Sequence, residues 1–374
     1  MRRKLFAFAM VGVLTMGGVV GCTDNGGDNT AGGGDAGNGP KIYGNGKGKI
    51  GVILPDTESS QRWGTDDPKF LKAAFDAAGV KADIQNAQGD KAKFASIADS
   101  MIAGGATVLM IVNLDSGTGK TVLGKARKAG LATIDYDRLT LNGGADYYVS
   151  FNNVTVGQMQ GQGLVRCLKE KGTKAPLVAD LNGSPTDNNA TQFKQGYEQV
   201  LQPMYDSQAY VKGPDQSVPE WSNDEAGVIF EQMMAQTQGK IRGVVAANDG
   251  LANAAIGVLK KSKLNGVVPV TGQDATVQGL QNILAGDQCM TVYKPIKQEA
   301  EAAANLAIKL FKGEKIEVGG KVKDVESGAY VPAVLLKPQL IFKENVKDVV
   351  QDKFVDRADV CKDAFEKLCT ENGV

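Results

Sequence analysis

Histidine is absent from the chain. Its absence removes the usual general base, the usual zinc ligand and every Ser-His or Cys-His pairing, so most hydrolytic mechanisms and most metal sites are not expected. A surplus of one charge is also missing. Lys+Arg and Asp+Glu number 42 each, whereas a nucleic-acid binder normally carries a basic excess. Beyond the N-terminus no stretch approaches the eighteen apolar residues of a transmembrane helix. Cysteine is scarce, at five in 374 residues. What is present is length enough for two cores, so two domains are expected.

The N-terminus reads as a targeting segment. Arg2, Arg3 and Lys4 form a basic start, Leu5 to Val20 an apolar run, and "VVGC" a small-residue cleavage site ending in Cys22. The spacing resembles a bacterial lipobox, which predicts a signal peptide over 1–21, lipidation of Cys22 and a flexible linker over 22–47. The Gly/Asn/Asp-rich tract 23–40 cannot bury a core and reads as a tether. As a coil it spans roughly 25 to 30 Å. The expected location is extracytoplasmic, anchored by lipid in the periplasm or on the outer face of the cytoplasmic membrane.

Four cysteines remain after Cys22, an even number in an exported chain. Cys361 with Cys369 is the first pairing expected. On one continuous helix they would stand about 12 Å apart by rise alone, so the pair requires a break between them. Cys167 with Cys289 is the second, with free buried thiols as the alternative.

From Lys49 onward strand and helix alternate. "KIGVILP", "KADIQNA", "TVLMIVNL" and "LATIDYD" are short apolar or β-branched runs, separated by stretches such as "PKFLKAAFDAAGV" with apolar residues at helical spacing. The same grammar restarts at Asn153 and runs through "APLVADLNG", "QAYVKGP", "IRGVVAAND" and "VPVTGQDA". Such repeats demand parallel sheets covered by helices. The expected fold class is α/β, with two Rossmann-like doubly wound domains: 48–152 plus about 293–330, and 153–292 plus about 331–374.

Ligands in open α/β sheets bind beyond the carboxyl ends of the strands. Here six buried runs end in polar residues: "ILPD…QRW", "IVNLD", "DYDR", "LNGSPTDNN", "AAND" and "GQD". Any one of them is an ordinary helix cap or turn. Six together predict one polar crevice between the halves.

Across about Lys49 to Lys294, "QRW", "DYDR", "SFNN", "SPTDNN", "AAND", "GQDA" and "MTVYKP" stand in the order and at the spacing of a known family. On these motifs the chain resembles the periplasmic sugar-binding proteins of ABC transporters, of the D-xylose-binding type. The resemblance implies a type I binding-protein fold, two domains joined by a multi-strand hinge with crossings near "YVSFNN" and near "MTVYKP". It implies sugar contacts by Arg62, Arg138, Asp187, Asn189, Trp221, Asn248, Asp274 and Lys294, with Asp137 a further contact and Trp63 beside them. Ser217 stands where an additional aromatic is associated with the family, and "PDTESSQRW" is less charged than its pattern. Both departures bear on which sugar is bound rather than on the class.

The residue types suit that reading. A monosaccharide offers hydroxyls that donate and accept and a weakly apolar ring face, matched by carboxylates, amides, guanidinium groups and a flat aromatic. The expected ligand is xylose, or else glucose or another aldose. The expected partner is a permease with a separate ATPase, the protein acting as a monomer without cofactor, metal or nucleic acid. "DSGTGKT" mimics a phosphate loop, but Leu114 stands where its first Gly is needed, so it reads as a helix start. Rival functions are a sugar receptor for a membrane sensor or chemotaxis system, and a glycoside hydrolase using Asp135 with Asp137 or Asp187 with Asp274. A sugar-responsive repressor is disfavoured by export and by the lack of a basic DNA-binding segment.

Overall fold

Period-2 burial sorts the first strands onto two faces of one sheet. In the computed structural model, which describes residues 44–374, these are β1 (Lys49–Leu54), β2 (Ala82–Asn86), β3 (Ala106–Ile111), β4 (Ala132–Tyr136) and β5 (Tyr147–Phe151). Ile50, Val52, Val108 and Met110 face a core that includes Leu71 and Phe75. Their neighbours Ile53, Leu109 and Ile111 face another, built on Phe94, Met101 and Leu123. A strand buried on both faces must sit between helix layers, which is why these runs are continuously apolar. The expected signal segment, Cys22 and the tether up to residue 43 lie outside the described residues. The tie to the fold begins at Gly46, whose amide donates to the Phe311 carbonyl at 2.9 Å, slightly earlier than expected.

The strand order of this sheet is β10-β11-β5-β4-β3-β1-β2, with β10 (Gly320–Lys323) and β11 (Tyr330–Leu336). All pairs are parallel except β10 with β11. The order 2-1-3-4-5 within it reverses between β1 and β3, the switch point at which such sheets open a crevice.

A second sheet has the order β7-β6-β8, from β6 (Leu177–Asn182), β7 (Val211–Ser217) and β8 (Ile241–Ala246), all parallel. The expected strand over 268–275 is reduced to a parallel bridge between Val244 and Val270. Beyond it the Asp274 amide donates to Val292 and the Val292 amide to Gly272, tying this segment to β9 (Thr291–Tyr293), which pairs antiparallel with β12 (Gln339–Ile341). Helices Asn153–Glu170 and Asn188–Asp206 pack so closely that a Cβ on Gly157 would stand 2.0 Å from the Phe193 carbonyl oxygen. That close approach sets Asn153 and Asn189, both in first turns, side by side.

The chain passes between the two sheet systems three times: from β5 into the helix beginning at Asn153, from β9 into the helix Ile296–Lys312, and from β11 to β12. The third crossing corrects an expected boundary. Residues 331–336 pair with β5 in the first sheet, through Ala333 opposite Tyr148 and Leu336 opposite Phe151, rather than opening the second half. "YVPAVLL" carries a strand signal but nothing that says which sheet edge receives it. The remaining C-terminal residues, among them Ile341, Val346 and Val349, pack against Leu280, Ile283 and Leu284.

Cys361 is bridged to Cys369 with Cα atoms 5.7 Å apart, and Cys167 to Cys289 at 6.4 Å. The helix Arg357–Val360 stops before Cys361 and the next begins at Phe365, which supplies the break the eight-residue spacing requires. Among the described residues no helix is long and apolar enough to cross a membrane.

Candidate functional site

The first wall of the site begins where β1 ends. A short 3-10 turn, Gln61–Trp63, turns Arg62 inward until it is 5% exposed. Its guanidinium donates to Asp67 through Nε and Nη2 at 2.7 Å each, to Glu299 through Nη2 at 2.7 Å and to Asp137 through Nη1 at 2.9 Å. Burial alone would lower its pKa, but Asp67, Glu299 and Asp137 raise it well above the ordinary value. Arg62 is therefore a fixed cation. Glu299 is pushed up to about 8, by burial first and against the pull of Arg62.

"DYDR" divides its side chains. Asp135 accepts from the Thr140 amide at 2.8 Å and from its hydroxyl at 2.7 Å, so it holds the following loop and does not enter the site. The Tyr136 hydroxyl donates to Asp67. Asp137 adopts a left-handed φ of 60°, which breaks the strand and frees it from the face Asp135 occupies. It meets Arg62, and Lys294 at 3.8 Å. Burial would raise its pKa, but Lys294, Arg62 and Arg138 hold it below the usual carboxylate range. Arg138 reaches across to the other half, with Nε 3.1 Å from Asp187 Oδ2 and Nη2 donating to Ser59 Oγ at 3.0 Å.

The second wall is made of helix caps. Asp187 Oδ1 accepts the Asn189 amide at 2.9 Å, while Oδ2 takes Arg138 and the Trp221 indole N–H at 3.2 Å. Asn248 caps its helix through Oδ1, accepting from the Leu251 amide at 2.9 Å, and lines the cavity. In Asp187, capping and the contacts into the site therefore use different oxygens of one side chain. Asn153 donates to Asn189 Oδ1 at 2.8 Å, and Asn189 in turn donates to the Asp137 carbonyl at 3.0 Å. Lys294 stands 3.4 Å from Asp274, and the two carboxylates around it keep its pKa raised despite burial.

Trp221 is 5% exposed and stands edge-on to Phe193 at 6.4 Å between centroids. Glu220 and Trp221 both take left-handed φ, 52° and 59°, conformations that L residues with side chains adopt only when the surroundings enforce them. Gly183 makes room for the ring: a Cβ there would lie 2.0 Å from the indole.

All ten residues singled out in the sequence, Arg62, Trp63, Asp137, Arg138, Asp187, Asn189, Trp221, Asn248, Asp274 and Lys294, line one cavity between the sheets. Ser59, Ser60, Phe193 and Gln273 line it too and carried no signal beyond ordinary loop or core positions. Gln273 adjoins the "D" of "GQD", yet only its buried, unpartnered Oε1 marks it out. Trp63 Nε1 is a second buried polar atom without a partner. Of the six polar strand ends, "IVNLD" does not reach this cavity. Asn113 instead accepts from Arg138 Nη1 through its backbone carbonyl at 3.2 Å, and Asp115 caps the helix Ser116–Lys128. The support layer of Asp67, Glu299 and Asp249 was also missed. Asp249 accepts from Gln288, Thr291 and the Thr276 amide, fixing the loop that carries Asp274. The cavity measures about 30 Å³, room for about two or three waters. Admitting a larger ligand requires the halves to part or the bridges between them to open.

Residues 50–315 match the family model described as a periplasmic binding protein domain. The chain belongs to the periplasmic binding protein family. It is 36% identical over 307 residues to the D-xylose-binding periplasmic protein of Haemophilus influenzae, covering 82% of this chain and 90% of that one. It is 35% identical over 311 residues to the protein of the same name from Escherichia coli, with the same two coverages. Among solved structures, an ABC transporter solute-binding protein from Clostridium phytofermentans with bound β-D-glucose superposes with a TM-score of 0.76 at 26% identity, covering 83% of this chain and 99% of that one. The fold is the type I periplasmic binding protein fold, and the resemblance carried by "DYDR", "SPTDNNA" and "MTVYKP" is borne out.

This binding protein is not an enzyme. Its carboxylates agree with that: Asp135 is turned away, while Asp137, Asp187 and Asp274 each face a cation. A carboxylate held beside a cation is a strong hydrogen-bond acceptor.

Proposed function

We propose that this protein is the lipid-anchored, extracytoplasmic capture component of a sugar-importing ABC transporter. It takes a monosaccharide, xylose ahead of glucose or another aldose, into the cleft between the two sheets and presents its closed form to a permease driven by a separate ATPase. The observation that carries this reading is the convergence of ten polar and aromatic residues from both halves on one cavity. Asp137, Asp187 and Asp274 would accept hydroxyl protons, Arg138, Asn189, Asn248 and Lys294 would donate, and Trp221 would cover the apolar ring face. Trp63 Nε1 and Gln273 Oε1 would gain the partners they lack.

Closure follows from the division of labour. Arg138 and Asp137 belong to one half and Asp187, Asn189 and Asp274 to the other. A sugar held by one half completes its hydrogen bonds only when the other arrives, so binding favours the closed form. Three crossing segments provide the hinge. Anchoring through Cys22 would keep the closed form near its permease, the tether setting its reach.

The test is a melting-temperature panel of aldopentoses and aldohexoses at millimolar concentration, followed by solution scattering with the sugar that stabilises most. A shift of several degrees with xylose and a smaller radius of gyration are expected. No shift with any aldose would overturn the sugar assignment, and an unchanged radius would overturn the hinge.

A further inference from the structure

Beside the inner cavity lies a larger chamber of about 210 Å³, also walled by both halves. The two share Ser59, Arg138, Asp187 and Trp221, so the second begins where the first ends. Its own lining differs. Leu114, Pro185 and Pro219 contribute flat apolar surface, and Glu58 and Glu220 set one carboxylate on each side. Lys91, at its rim, is already engaged by Asp115 at 2.8 Å.

We propose that this chamber is a subsite for a second glycosyl unit, so that the protein takes a neutral disaccharide with one ring in each compartment. The inference rests on the sugar reading of the inner cavity. Size is the first argument: a cavity of roughly 150 Å³ accommodates benzene, and this one is larger. Chemistry is the second. Carboxylates contributed from both halves can accept from several hydroxyls of one ring. Proline and leucine surfaces suit the C–H face of a pyranose, and Trp221 borders both compartments. Charge is the third. Asp56, Glu58, Asp187 and Glu220 outnumber Lys91 and Arg138 in the lining, which disfavours a uronic acid or a sugar phosphate.

The experiment is calorimetric titration of the purified chain with xylose and with its β-1,4-linked disaccharide, repeated with glucose and its β-1,4-linked disaccharide. The wild type is expected to bind one of these disaccharides within tenfold of the corresponding monosaccharide, or more tightly. Leu114→Trp fills the outer chamber from a half-buried position that does not line the inner cavity. It should weaken the disaccharide at least 30-fold and leave the monosaccharide within threefold. Glu58→Ala, at an exposed position that cannot unfold the chain, should weaken the disaccharide alone, by about fivefold. Tight monosaccharide binding with no measurable binding of either disaccharide overturns the subsite and leaves the sugar reading standing. Loss of both ligand classes in Leu114→Trp, with its melting temperature retained, also overturns it, because the monosaccharide itself would then occupy the outer chamber. Failure of the wild type to bind any of the four sugars overturns the inner-cavity reading along with it.

Discussion

The two halves carry the same kind of sheet but hold their side of the site by different means. In the first, Arg62, Asp67, Glu299 and Tyr136 form a buried charged network directly behind Asp137, so the floor of the site is part of the core. In the second, the site is held by caps and loops with left-handed backbone at Trp221 and Asp274 and at their neighbours Glu220 and Ala275. Both disulfides tie elements on this side, Cys167 to Cys289 and Cys361 to Cys369. A buried ion pair is directional but fails if one partner is lost, whereas a covalent closure restrains loops without specifying their polar contacts. The first half should therefore be fragile to charge changes and the second to reduction.

The largest break in that contrast should come from the disulfides. Replacing Cys167 and Cys289 by Ala opens a loop of 122 residues, and chain-entropy estimates put the loss at about 5 kcal/mol. The corresponding change at Cys361 and Cys369 opens only eight, worth about 2.5 kcal/mol. Urea unfolding with and without reductant measures both, and equal losses would remove the loop-closure account.

Next comes Asp137→Ala, which leaves Arg62 and Lys294 with one buried partner fewer each and should destabilise by about 3 to 5 kcal/mol. Asp274→Ala in the other half also takes a buried carboxylate from Lys294, at 3.4 Å, but leaves the Arg62 network whole, so its stability loss should be smaller, about 1 to 3 kcal/mol. Its distinguishing effect should fall on sugar affinity, about 2 to 3 kcal/mol or roughly 30- to 150-fold. Denaturant melts beside calorimetry separate the two outcomes; a large stability loss at Asp274 would erase the distinction between the halves.

Gly183→Ala sharpens the comparison at Trp221. Its added methyl meets the indole at 2.0 Å, and overpacking of this kind costs about 1 to 3 kcal/mol. Sugar affinity should fall and tryptophan emission should shift, with the first half untouched.

The last effect is that of pH, which is spread over several groups. Burial raises Glu299 to about 8 and Asp135 and Asp249 to about 7. A carboxyl whose pKa is higher in the folded state binds its proton more tightly there. Its contribution to stability is complete below the unfolded pKa near 4 and is lost as pH rises through the folded value. The melting temperature should accordingly decline between about pH 5 and pH 8, and Glu299→Gln should flatten the upper end of that decline. Asp137, lowered, acts in the opposite sense and supports the fold until acid protonates it. A rise in melting temperature across the same interval would refute this assignment.

Much of this molecule is written locally. Strand runs, periodic helices and polar strand ends can be read one after another, because a strand buried on both faces must be apolar and must stop being apolar where it meets a crevice. That the ten residues at these ends line one cavity was legible for that reason, reinforced by family motifs at fixed spacing. Phe193, Gln273, Asp67 and Glu299 were not, since each sits in a stretch whose pattern is that of an ordinary helix or loop. Glu299 lies 237 positions from Arg62 and reads in sequence as one more charge on an Ala-rich helix.

What the sequence by itself determined is the α/β grammar, the two halves and the residue types at the strand ends, all consequences of short-range pattern. Only the tertiary structure decided that Asp135 turns away while Asp137 turns in, since a single left-handed φ separates them. It also decided that β11 joins the first sheet, and that Gly183 stands under Trp221. Those outcomes depend on which surfaces meet across long separations. Sheet pairing and close packing are contests among many segments at once, and no local pattern records who wins them.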